Sequence, residues 1–567
     1  MFPHAGATEG LHSKSAIRRE AHIYGVAPVG PSYTVVSATV AWAAMPYAAP
    51  GVRPESTFMT APKLLTDAQM QRFIAHGYLC LRTELPESFH HGIYQRFDTL
   101  IGADAALNPG NNLLAAVPEL NEVFADPIVR GALTSVVGPN YVMHPHRALH
   151  NNPPGSDAQR IHKDSYWGYL RRVRNHRCRW AMIMYVPQAT PLERGPTGVI
   201  LGSQYQSQRP DDALMPEVAG CLETGGFLLI HYDIWHRKMK NFTEDKRFMM
   251  KFEFIRMQEP DSPSWDHSDP AWWLDEPPAL NMSAVWRRQW NWLRGATNTD
   301  VPVNDIDAAG LTSSDPHQRL AAINDIARST AAARTYLPAL AALLRDPLEP
   351  IAVDAAYAMA SAGADAIPSL LDVIRRDTEE DSDPDRGSHD GSRPDPGMPA
   401  RSAAYGLVEI GVPAVPGLLD ILRNGAGSRA RKLAAFALGE IAGTGTEVIE
   451  ALCRAMQDPS AAVRINAIEA LGLKPASPAA IAALSRAVKD PDPQARFSAA
   501  LSLAQIGPGA EAAIPALKDA LYDENRYVPG YAVEALERIA TPGAIRALLP
   551  FLKTARWCPH TSPASIY

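Results

Sequence analysis

The stretch "HYDIWHRKMKNFTEDKR" (231–247) places two histidines five residues apart and an arginine eleven residues beyond the second. Imidazoles are transition-metal ligands, and a guanidinium is a planar fork that fits a carboxylate. A metal that must also bind reactants needs open positions. Two histidines and one carboxylate on one face provide them, an arrangement suited to non-haem iron(II). A His-x-Asp triplet on a strand can supply the carboxylate, because the period of two puts both side chains on the same face.

Three such triplets occur: His162/Asp164, His231/Asp233 and His267/Asp269. The second shares its short segment with His236, and one strand does not readily wrap a metal from both sides. The third follows the last strand-like run and has no later histidine–arginine pair. Asp164 precedes His236 by 72 residues, enough for several strands to return the chain across a barrel. The first triplet is therefore the favoured pair. The residues alone leave open which of His231 and His236 would be the third ligand.

These residues need a scaffold, and 65–295 alternates helical and strand-like pieces. "LTDAQMQRFIAHG" predicts a helix with Thr66 as N-cap and Gly77 as C-cap. The runs "YLCLRTEL", "CRWAMIMYVP", "GPTGVILG", "GGFLLIHY" and "RFMMKFEFI" read as strands separated by turn residues. Such spacing suggests a double-sheet jelly roll. The tail "AVWRRQWNWLRG" is expected to pack as a helix against it.

From about 316 the character changes. "SRARKLAAFALGEIAG", "DPSAAVRINAIEALG" and "DPDPQARFSAALSLAQIG" are variants of one unit, and Asp458, Asp490 and Asp523 recur 32 and 33 residues apart. A helix-turn-helix unit at that period predicts an α-solenoid of about seven repeats over 316–553. The units resemble HEAT repeats, in the short alanine-rich form of phycobilisome-lyase-like proteins. The acidic stretch 377–397 reads as a disordered insert, 297–315 as a linker and 554–567 as a tail. Residues 1–58 show no sustained periodicity and read as a disordered extension, or else translation starts at Met59.

Composition narrows the function classes. Apolar content of 46% and charged content of 20% fit a multidomain globular chain, and a net charge of −7 gives no support for nucleic-acid binding. No run reaches the roughly 18 apolar residues of a membrane helix. The five cysteines lie in no paired spacing, which fits a reducing, cytoplasmic setting.

Residues 65–295 resemble the phytanoyl-CoA dioxygenase family of iron(II)- and 2-oxoglutarate-dependent oxygenases. "LTDAQMQRFIAHGYLCL", "NNPPGSDAQRIHKD", "GPTGVILGSQ" and "HYDIWH…N.T…R" carry the resemblance. It implies a double-stranded β-helix over 59–296, with His162, Asp164 and His236 as iron ligands and His231 as a strand residue beneath them. It further implies that Arg247 holds the far carboxylate of 2-oxoglutarate, that Asn151 and Thr243 belong to the same co-substrate site, and that Thr243 and Asn241 fit the turn before Arg247. Two departures stand out. Lys238 replaces a small hydroxyl residue, and the middle motif ends in "GSQ" instead of "GSH".

The resemblance implies hydroxylation or desaturation of an organic small molecule, coupled to decarboxylation of 2-oxoglutarate. Halogenating relatives lack the carboxylate, and Asp164 is present. The run "YLRRVRNHRCRW" (169–180) reads either as a solvated strand edge or as a basic rim for an anionic substrate. The repeats suggest a protein partner or self-association. The competing reading is a scaffold that binds a partner through the repeats without turnover, and a second rival makes the repeats a chromophore lyase.

Overall fold

The structure is a computed structural model that describes residues 60–102, 108–164, 171–298, 300, 306–379, 395 and 397–554. The extension 1–58, Met59, the tail 555–567 and most of the acidic insert lie outside these residues.

Residues Asp67–His76 form the first helix, capped as the sequence predicts. Thr66 Oγ1 accepts from Gln69 N and the Gln69 side chain accepts from Thr66 N, a reciprocal capping box. Gly77, at φ +82°, closes the other end in the left-handed region.

Eight strands follow: β1 Tyr78–Arg82, β2 Val142–Asn152, β3 Trp180–Tyr185, β4 Thr197–Ile200, β5 Glu217–Gly220, β6 Gly226–His231, β7 His236–Lys238 and β8 Arg247–Ile255. They build two antiparallel sheets, ordered β1-β6-β3-β8-β2 and β5-β4-β7. Gly220 on the small sheet backs against Leu228 of the large one, where an added Cβ would lie 2.9 Å from the leucine methyls. The two sheets thus enclose a jelly-roll interior.

Strand β8 is buried along its whole length and has two unlike faces. Phe248 and Phe252 point outward against Tyr94, Phe97 and Phe124, with ring centroids 4.6–6.0 Å apart. Each buried ring contributes about 1.5–3 kcal/mol. Arg247, Met249, Lys251 and Glu253 alternate onto the other face, toward the interior.

Among the described residues, helices from Pro316 to Thr554 pair into seven successive units. The inner helices are alanine-rich and apolar nearly all round because each is enclosed by its neighbours. Gly439 marks the closeness of that packing, since a Cβ there would lie 2.7 Å from Ala470 Cβ. The recurring aspartates have a structural purpose. Arg431 grips Asp458, Arg464 grips Asp490 and Arg496 grips Asp523, each through two hydrogen bonds of 2.7–3.2 Å. Each pair staples one unit to the next. No helix is long and apolar enough to cross a membrane among the described residues.

Candidate metal centre

His162 and His236 are cross-strand partners. The backbone N–H of each donates to the carbonyl of the other, both at 2.9 Å, which adds the 162 segment to the edge of β7. Asp164, two residues on, joins them. The three residues offer ligand atoms that all lie within 4.8 Å of one another. His162 Nε2 is 3.8 Å from Asp164 Oδ1, and His236 Nε2 is 3.9 Å from Asp164 Oδ2.

The donor set suits a metal. His162 Nδ1 pairs with the Arg160 carbonyl at 2.9 Å and His236 Nδ1 with the Ile234 carbonyl at 3.0 Å. Carbonyls only accept, so both protons sit on Nδ1 and each Nε2 keeps its lone pair. Burial pushes the His236 imidazole down to about 4, so it is neutral at pH 7. Burial alone would raise the Asp164 carboxyl. The Lys251 ammonium, 2.8 Å away, and the two histidines instead hold it below the usual carboxylate range. Lys251 on β8 was not singled out by the sequence. Its signal was present only as a charge at an inward position of an otherwise apolar strand.

The other triplets lie elsewhere. His231 ends β6 and its Nδ1 accepts from Asp233 N at 3.1 Å, while the Asp233 carboxylate pairs with Arg174. His267 Nδ1 and the Asp269 backbone N–H both bond to the Asp67 carboxylate, at 2.7 and 2.8 Å, in the first turn of the first helix.

Arg247 opens β8 and is 1% exposed. Its Nη2 donates to Thr197 Oγ1 at 3.1 Å, but its Nε and Nη1 have no hydrogen-bond partner among the described residues. Burial lowers this guanidinium to about 10, with no carboxylate set against it. Lys238 faces Thr197 across the β4–β7 pair and so lies on the same face as the Thr197–Arg247 contact.

Residues 93–249 match the family model described as phytanoyl-CoA dioxygenase (PhyH). The chain carries a phytanoyl-CoA dioxygenase domain. Residues 415–504 and 449–529 match HEAT repeats. No curated protein matches the chain. The solved structures similar to the domain include the non-heme alpha ketoglutarate dependent carbocyclase SnoK from nogalamycin biosynthesis, at 13% identity over 35% of this chain and 88% of that one, with a TM-score of 0.30. EctD from S. alaskensis with bound Fe is 17% identical over 35% of this chain and 78% of its own, with a TM-score of 0.30. HygX from Streptomyces hygroscopicus, with nickel and 2-oxoglutarate bound, is 16% identical over 34% and 87%, with a TM-score of 0.28.

Within this phytanoyl-CoA dioxygenase domain two expectations change. Asn151 is paired across the sheet with outward-facing Phe248, whereas Asn152 is paired with Arg247. Directly opposed residues share a face, so Asn152 is the asparagine on the inner side. Thr243 does not reach the interior. Its hydroxyl donates to Asn241 Oδ1 at 2.7 Å and accepts from Asp245 N, so it holds the turn that delivers Arg247. Asn241 has the turn role expected of it, its amide bonding the Asn152, Pro153 and Asp245 carbonyls.

The basic run is neither a solvated edge nor a rim. Arg171, Arg172, Arg177 and Arg179 pair with Asp492, Glu469, Glu409 and Glu440 of the helical array. They are therefore committed within the chain and give no reason to expect an anionic substrate.

Proposed function

We propose that the chain is an iron(II)- and 2-oxoglutarate-dependent oxygenase that hydroxylates, or desaturates, an organic small molecule. The observation that carries this reading is the combination inside one jelly roll. A His162–Asp164–His236 donor set faces the interior that also holds the buried, partly unpaired guanidinium of Arg247. A buried cation with unmet donors is costly unless a ligand completes it.

Iron, when bound, supplies open coordination positions and one-electron chemistry for the co-substrates. The chain's own residues do the rest. His162 and His236 present Nε2 atoms locked in one tautomer, and Lys251 holds Asp164 ionised and oriented. Arg247 would receive the distal carboxylate of 2-oxoglutarate through parallel N–H donors, with Asn152 and Lys238 on the same inner faces. Retention of Asp164 favours oxygen chemistry over halogenation, which needs that position open. The reading places the oxygenase domain at 59–296 and the repeats at 316–553. The free cysteines Cys80, Cys178, Cys221 and Cys453 agree with a cytoplasmic setting.

Anaerobic addition of iron(II) and 2-oxoglutarate to the protein should give a weak visible charge-transfer band, and aerobic incubation should release succinate. Absence of both would leave the scaffold reading in its place.

A further inference from the structure

Five helices of the array meet the segment 171–179, which lies between Asp164 and β3. Asp492, N-cap of the helix Pro493–Ile506, pairs with Arg171. From Ala461–Gly472, Glu469 pairs with Arg172 at 2.7 Å, and Asn466 exchanges hydrogen bonds with Val173 N and the Arg171 carbonyl. Glu440, ending Ser428–Glu440, takes Asn175 at 2.7 Å and Arg179 at 2.8 and 2.7 Å. From Met398–Ile410, Tyr405 donates to the Arg174 carbonyl at 2.7 Å, and its ring centroid lies 3.8 Å from that of His176. From Glu349–Ser361, Tyr357 shares a 3.0 Å hydrogen bond with His176 Nδ1. This is how a solenoid holds an extended peptide in trans. Here the peptide belongs to the same chain, so its effective concentration outcompetes free ligands of similar sequence.

The segment leads on to the metal centre. The Arg174 side chain pairs with the Asp233 carboxylate. Asp233 adjoins Ile234, and the Ile234 carbonyl fixes His236 Nδ1 at 3.0 Å. We propose that the helical array is an internal brace for the oxygenase domain, with Tyr405 and Arg174 as positioning residues that set the orientation of His236. This rests on the metal-site reading above. It makes the residue-reading face of the repeats a built-in contact, not a recruitment surface.

The test uses full-length protein and cobalt(II) alone as the probe. Partners that orient metal-bound histidines typically change affinity by roughly 10–100-fold. Arg174→Lys should weaken cobalt(II) binding by about tenfold and alter the cobalt d–d bands, with Tyr405→Phe altering the same bands by a smaller amount. Tyr405→Phe is isosteric, so it reports even if Arg174→Lys fails to fold. Unchanged affinity and bands in folded Tyr405→Phe and Asp233→Asn would overturn the brace. Failure of the metal reading looks different: the unaltered protein would not bind cobalt(II), or His236→Ala would bind it equally well.

Discussion

Arg247 and Asn152 stand directly opposite one another on β8 and β2, and each carries polar nitrogens that no described residue satisfies. Arg247 leaves Nε and Nη1 unmet, and Asn152 leaves Nδ2 unmet while its Oδ1 accepts from Ser156 Oγ. Two buried neighbours thus turn unused donors onto one inward face, and a carboxylate is the acceptor that suits such donors.

Arg247→Ala should therefore raise the KM for 2-oxoglutarate steeply. An unpaired desolvated carboxylate costs roughly 2–5 kcal/mol, about 30-fold to several thousand-fold in affinity. Arg247→Lys should fall between, because lysine is a single point charge on a flexible stem. Metal content, measured by elemental analysis, should not change. A KM within twofold of the unaltered protein would show that this guanidinium does not bind the co-substrate.

The two asparagines separate cleanly. Asn152→Ala should weaken 2-oxoglutarate binding by the worth of a hydrogen bond to a charged group, on the order of 1.5–3 kcal/mol. Asn151→Ala, on the face shared with Phe248, should leave that binding unchanged. Calorimetric titration of the anaerobic metal-loaded protein decides between them, and equal effects would contradict the strand register.

His162→Ala, Asp164→Ala and His236→Ala should each abolish stoichiometric metal binding. His231→Ala should retain it, since His231 Nδ1 is occupied by the Asp233 backbone N–H. Equilibrium dialysis with iron(II) or cobalt(II) measures this directly, and loss of metal in His231→Ala alone would reassign the distal ligand.

Acid should destabilise the fold. Burial pushes His231 down to about 4 and holds His144 and His176 well below the ordinary histidine range. With lowered folded values, the unfolded chain binds the extra protons, so stability is full above about pH 6.5 and falls as pH drops toward the folded values. His231 alone accounts for about 2 kcal/mol between pH 7 and pH 5. Tm should drop over that window, and less so in His231→Gln; a flat profile would show these imidazoles are not held neutral.

Arg464→Ala should destabilise the array by on the order of 1.5–3 kcal/mol through the loss of its paired hydrogen bonds to Asp490. Asp490→Ala added to that variant should cost less than Asp490→Ala alone, because the partner is already gone. Urea denaturation of the single and double variants gives the coupling, and strict additivity would deny the staple.

The sequence by itself determined what depends on local period and spacing. Thr66 and Gly77 announce their helix because capping is decided within four residues. The alanine-rich units and their aspartates announce the repeats because each unit solves the same packing problem. His162, Asp164, His236 and Arg247 were nameable because chemistry restricts the residue types and the family resemblance fixes their spacing. Tertiary structure alone decided three further things. The register of β2 on β8 pairs Asn152 with Arg247 and Asn151 with Phe248, so that Asn152 and not Asn151 faces inward. A register one residue different would exchange the faces of the two asparagines, and nothing local in "NNPPG" signals which register holds. Lys251 reaches Asp164 across 87 residues, and the arginines of 171–179 find Glu440 and Asp492 across some 260 to 320. Charges in a basic run look the same whether water or a folded partner satisfies them. Only the folded chain shows the acidic helices that take them out of solvent.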